Sequence, residues 1–98
     1  MYVLVRKDLP GSQPAVQAGH ALAQYLIDYP DNEWTNGTLI YLKVDSEWDL
    51  LQWWDKLLYV HPKHSCFREP DIGNEMTAIA AFDNTGRLEN LFRNISLL

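Results

Sequence analysis

The chain has 98 residues, 47% of them apolar, and a formal net charge of −5, with 8 Lys and Arg against 13 Asp and Glu. That length supports one hydrophobic core and is too short for two, so residues 1–98 are expected to form a single domain. The acidic balance excludes a general nucleic-acid grip, which needs a basic surface to displace phosphate counterions, but leaves room for a small cationic pocket. No run approaches the roughly 20 apolar residues of a membrane span, and Arg6-Lys7-Asp8 interrupts the apolar start where a signal peptide would continue, so no membrane association and a cytoplasmic location are expected. Cys66 stands alone, so no internal disulfide forms, in keeping with a reducing compartment.

Tyr2–Arg6 is a short run of β-branched, aromatic and aliphatic residues before Asp8-Leu9-Pro10-Gly11, which reads as a buried strand ending in a turn. Ser12 or Gln13 then caps a helix with Pro14 in its first turn, and Ala15, Ala18, Gly19, Leu22, Ala23 and Leu26 recur at helical spacing. Beside this small-residue face runs a polar strip of Gln17, His20 and Gln24. Tyr29-Pro30-Asp31-Asn32 closes the helix, and the run 38–44 after Asn36-Gly37 reads as a second strand. Ser46 with Asp49 three residues on forms a capping box before Leu50, Leu51, Trp54, Leu57 and Leu58, the strongest helical signal in the chain. A weaker strand is expected over 59–67, with Pro62 confining it to a sheet edge. Asp71-Ile72-Gly73-Asn74 is a turn, 76–82 a strand of small and apolar residues, and Asp83-Asn84-Thr85-Gly86 leads into a short helix through Leu88, Leu91, Phe92 and Ile95. This alternation predicts an α/β domain with a mixed four-stranded sheet covered by helices on one or both faces.

Four tryptophans, Trp34, Trp48, Trp53 and Trp54, are many for one small core. Trp48 and Trp53 lie off the main stripe of the second helix, which points to an interface or to burial under loops. His61, His64 and Cys66 place two imidazoles and a thiol within six residues, but they share one irregular segment with no paired cluster elsewhere, so no metal site is assigned. The charged stretch from Phe67 to Glu75 precedes a buried strand and is expected beside the cleft end of the sheet, where α/β folds bind ligands. Taken alone, an Asp in an Asp-x-Gly turn forms the turn itself, a helix histidine packs on the sheet, and a threonine at a strand start is a good strand residue.

Three pieces taken in order resemble the type II peptidyl-tRNA hydrolase family. Val5-Arg6-Lys7-Asp8-Leu9 is similar to the family's V-R-x-D-L at the end of strand one. Gln17-Ala18-Gly19-His20-Ala21 resembles its helix motif Q-x-x-H-A. Asp71-Ile72-Gly73 is similar to its D-A-G loop, followed by Thr77 leading into a small-residue strand. The resemblance spans Tyr2 to about Phe82 and implies the family's fold, a homodimer, and hydrolysis of the ester joining a peptide to the terminal ribose of tRNA, without cofactor or metal. By that resemblance Asp71 would take the water proton, Thr77 would orient the water, and His20 with Gln17 would hold the terminal nucleotide or the developing oxyanion. Arg6, Asp8, Arg68, Gly73 and Asn74 are the further candidates for substrate binding.

The sequence also departs from the family's pattern. The family's Gly-Lys-rich run after the D-L pair, whose lysine is central to activity, is replaced by Pro10-Gly11-Ser12-Gln13. Arg6, Lys7 or Arg68 would have to supply the missing cation. Asn74-Glu75 stands where the family carries Arg-Thr, and Glu75 would repel phosphate. The alternative expectation is therefore a catalytically silent homologue that binds a nucleotide, an RNA end or a protein partner as a regulator.

Overall fold

The computed structural model describes residues 1–60 and 63–98. The elements are β1 (Tyr2–Arg6), α1 (Gln13–Asp28), β2 (Ile40–Val44), α2 (Glu47–Val60), β3 (His64–Glu69), a single 3₁₀ turn (Pro70–Ile72), β4 (Glu75–Ala81) and α3 (Arg87–Phe92). The strands form one mixed sheet in the order β2-β1-β4-β3, in which β1 pairs parallel with β2 and antiparallel with β4, and β3 pairs antiparallel with β4. The expected single α/β domain with a mixed four-stranded sheet is thus the architecture found.

Side-chain alternation along the strands divides the core in two. Leu4, Leu42, Val44, Ile79 and Ala81 pack with Leu50 and Leu57 of α2 and with Leu88 and Phe92 of α3. On the opposite face Val3, Val5, Ala78 and Ala80 pack with Ala18, Ala21 and Tyr25 of α1. The alanines of β4 let α1 lie close to the sheet, because short side chains on the facing strand leave little to hold the axis away. No helix among the described residues is long and apolar enough to cross a membrane.

The local reading needs four corrections. Helix α2 runs on through Val60, and β3 begins only at His64. Leu57 and Val60 sit three apart on the core-facing stripe, so the aromatic and β-branched residues at 59–60 finish a helix rather than start a strand. Pro62 lies outside the described residues, yet β3 does occupy the sheet edge. The buried face of α1 is Gln17, Ala18, Ala21 and Tyr25, whereas Ala15 and Ala23 are exposed and Leu26 is 39% exposed. Tyr25 fills the space that Leu26 was expected to fill, which turns the helix so that Gln17 leaves the solvent strip. Ser12 does occupy the position before α1, but its side chain makes no capping bond. Strand β2 starts at Ile40 rather than Thr38, whose carbonyl accepts both the Trp34 indole N–H at 2.9 Å and the Met1 ammonium at 3.1 Å.

The outer edge of β2 is covered by residues at 96–98. Lys43 N–H donates to the Ser96 carbonyl and Leu98 N–H to the Tyr41 carbonyl. This pairing satisfies backbone groups that an edge strand would otherwise expose.

Candidate functional site

A β-bulge sets the orientation of Thr77. Ala78 and Ala80 face α1 while Ile79 and Ala81 face α2 and α3, so unbroken alternation would send Thr77 toward α2 and Met76 toward α1. The register of β3 and β4 shifts instead, with Phe67 opposite Ala78 and Arg68 opposite Met76, leaving Thr77 as the extra residue. Met76 accordingly joins the α2 side, and Thr77 turns toward α1. Bulges re-aim side chains in this way at the rims of sheets.

Turned inward, the Thr77 hydroxyl donates to Gln17 Oε1 at 2.8 Å, and Gln17 Nε2 donates to Glu69 Oε1 at 3.1 Å and to Gln13 Oε1 at 3.4 Å. Thr77 is fully buried and Gln17 is 1% exposed. This chain carries polarity from the sheet interior to a cleft of about 280 Å³ lined by Leu9, Pro10, Gln13, Gln17, Glu69, Asp71 and Ile72. The cleft lies where the ends of β1 and β3 meet the first turn of α1. Its apolar wall comes from Leu9, Pro10 and Ile72, and its polar wall from two amides and two carboxylates.

The structure brings Asp71 and Gln17 of the expected site together at this cleft. Thr77 reaches it only through the Gln17 amide. His20, one turn further along α1, is exposed and its ring stacks on Phe67 at 4.6 Å between centroids, outside the cleft lining. Gly73 and the non-glycine Asn74 both adopt left-handed backbone, with φ of 72° and 61°, and carry the chain from the 3₁₀ turn back into β4.

Arg6 continues the face of Tyr2 and Leu4, opposite Val44, and so stands on the α2 side of the sheet. Its Nε donates to Asp8 at 2.8 Å and its Nη1 to Glu75 at 2.7 Å, with a weaker bond to the Met76 carbonyl at 3.4 Å. The hydrogen bond that Arg6 donates to Asp8 raises the guanidinium's pKa further, and the same bond holds the Asp8 carboxyl below its ordinary value. Glu47 of α2 completes this side by accepting the Met76 N–H at 2.7 Å. Lys7 pairs with Asp45 at 3.0 Å, and Arg68 donates to the Asn74 carbonyl at 3.2 Å. Among the described residues, no lysine or arginine lines the cleft that holds Asp71.

The chain matches no protein-family model and no curated protein.

Glu69 and Gln13 are the cleft residues that sequence reading missed. Glu69 sits two positions before Asp71 within the charged stretch, but nothing in that spacing says which acid turns inward. The zinc candidates separate by environment. His64 is buried with its ring 4.5 Å from that of Trp54, Cys66 packs toward the α2 side, and His61 lies outside the described residues. Burial pushes the Cys66 thiol up, away from the thiolate form that binds metal. Of the two off-stripe tryptophans, Trp53 packs edge-on against Phe92 of α3 at 5.2 Å, while Trp48 is 66% exposed.

Proposed function

We propose that this domain has the architecture of the type II peptidyl-tRNA hydrolases and uses the cleft between α1 and the 3₁₀ turn to bind a protein partner, without hydrolysing acyl-tRNA. The observation that carries this reading is the composition of the cleft: it contains Glu69 and Asp71, and no basic residue lines it among the described residues. Ester hydrolysis develops negative charge on the carbonyl oxygen, and two carboxylates with no nearby cation would oppose it. The terminal ribose of tRNA would also bring its phosphates toward the same acids. Of the candidate replacement cations, Arg6 is committed to Asp8 and Glu75 and Lys7 to Asp45, while Arg68 bonds the Asn74 carbonyl and is not part of the cleft lining. A partner presenting a basic or amide side chain beside an apolar one would match Glu69, Asp71 and the Leu9, Pro10 and Ile72 wall.

The hydrolase reading keeps one specific support, because Asp71 and Gln17, from distant parts of the chain, line the same cleft. Both readings are tested by incubating purified protein at high concentration with N-blocked aminoacyl-tRNA carrying a labelled acyl group, alongside Asp71→Asn and a no-protein control. The expected result is release equal to the control for both proteins. Release by the wild type that Asp71→Asn abolishes would overturn the binding-only reading and establish the hydrolase.

A further inference from the structure

The two edges of the sheet are finished differently. Residues at 96–98 cover the outer edge of β2, whereas no backbone group among the described residues pairs with the outer edge of β3. The Thr77 hydroxyl reaches the Phe67 carbonyl at 3.3 Å, so that carbonyl points toward β4. Alternation along an antiparallel ladder then turns the N–H and C=O groups of His64, Cys66 and Arg68 outward. The Tyr29 hydroxyl donates to the His64 carbonyl at 3.3 Å, but no other segment of the described residues bonds the backbone of Cys66 or Arg68. A bare edge of this kind is ordinarily guarded by charge or by a bulge. Here the bulge lies on β4, and Arg68 is turned back onto the Asn74 carbonyl of its own chain.

The side chains along this edge complement themselves. Ser65, Phe67 and Glu69 face α1, where Ser65 donates to Asp28 at 2.6 Å, Phe67 stacks on His20 and Glu69 accepts the Gln17 amide. His64 and Cys66 face α2. Opposite residues of an antiparallel pair share a face, so two copies of β3 related by a twofold axis must be centred on a residue. Centred on Phe67, the strands would set Asp28, beside Ser65, against Glu69 of the second copy, a clash of like charges. Centred on Cys66, the outward backbone groups of His64 meet those of Arg68, and Cys66 meets Cys66. Ser65 then falls opposite Phe67, which brings Asp28 to His20 of the second copy. Lys63, immediately before the strand, falls opposite Glu69. Lys63 is exposed and makes no ion pair among the described residues, and Glu69 has only Oε1 engaged, by Gln17. Along α1, Val16 and Ile27 border the flank that overhangs β3 and are 42% and 71% exposed, so a second α1 would also cover apolar surface.

We propose that β3 is the interface of a homodimer in which two copies pair antiparallel about Cys66, extending the sheet across a twofold axis. This edge shares only Glu69 with the Asp71 cleft.

Sedimentation equilibrium of the full chain, from micromolar to millimolar concentration, should show a monomer and dimer in exchange. Lys63→Glu sets like charges against Glu69 at both ends of the interface, and Glu69→Lys does the same against Lys63, so each variant alone should dimerise about tenfold more weakly or worse. An equimolar mixture of the two variants restores opposite charges at both ends of the mixed dimer and should associate as tightly as the wild type, a rescue that a folding defect would not give. Hydrogen exchange of the ¹⁵N-labelled chain should show the Cys66 and Arg68 amides gaining protection with concentration, while those of Ser65 and Phe67 are protected throughout. A chain that stays monomeric at millimolar concentration would refute the proposal. So would a dimer that Lys63→Glu leaves unchanged, or a mixture no tighter than either variant alone.

Discussion

Replacing Thr77 with valine keeps shape and removes one hydroxyl, so it isolates the hydrogen-bonded chain beneath the cleft. In the wild type, Gln17 Oε1 accepts that hydroxyl at 2.8 Å, at a site where Thr77 is 0% and Gln17 1% exposed. Thr77→Val leaves the amide oxygen without its donor and out of reach of bulk water, a penalty of about 1–3 kcal/mol. Taking about 2 kcal/mol as the centre, the melting temperature of a domain this size falls by roughly 8–16 °C. Urea unfolding followed by tryptophan fluorescence should show a lower midpoint with an unchanged slope. Gln17→Met removes the stranded oxygen, so the double variant should be more stable than the sum of the single losses by about 1 kcal/mol or more. A Thr77→Val cost below about 0.5 kcal/mol, or strict additivity with Gln17→Met, would refute the coupling of the bulge to α1.

Two glycines should respond to alanine with opposite signs. A Cβ at either Gly73 or Gly19 would meet nothing within 4 Å, so only backbone conformation decides. Gly73 has φ of 72° and its alanine variant should lose about 1–2 kcal/mol, whereas Gly19 lies inside α1 and its alanine variant should gain about 0.5–1 kcal/mol, both read from urea midpoints. At alkaline pH, burial pushes the Tyr25 phenol up to about 12, with the neighbouring Tyr29 adding to the shift. The unfolded chain releases that proton near pH 10 and the folded chain keeps it longer, so stability present below pH 10 should fall as pH rises toward about 12. Tyr25→Phe should flatten that limb of the stability profile, and an unchanged limb would assign the loss to other groups.

The sequence by itself determined the elements whose signals are local. Period-two and helical spacing gave β1, α2, β4 and α3 nearly to their ends, because burial of one face per element is written into the order of apolar residues. β3 does occupy the sheet edge, as expected, but the reason given from Pro62 inside the strand does not hold, because β3 begins at His64 and does not contain that proline. Of the motif residues, Asp71 and Gln17 line one cleft, whereas His20, which the resemblance grouped with Gln17, lies outside its lining.

What the sequence left open is what depends on long-range register. One extra residue in β4 decides that Thr77 faces α1 rather than α2, and a register shift has no local signature in a run of small residues. The side of the sheet on which Arg6 falls, and therefore its capture by Asp8 and Glu75, depends on strand pairing across 69 positions of chain. Charge identity was written in the chain, whereas charge partnership was decided by tertiary structure, because a carboxylate's neighbours are set by packing and not by sequence distance.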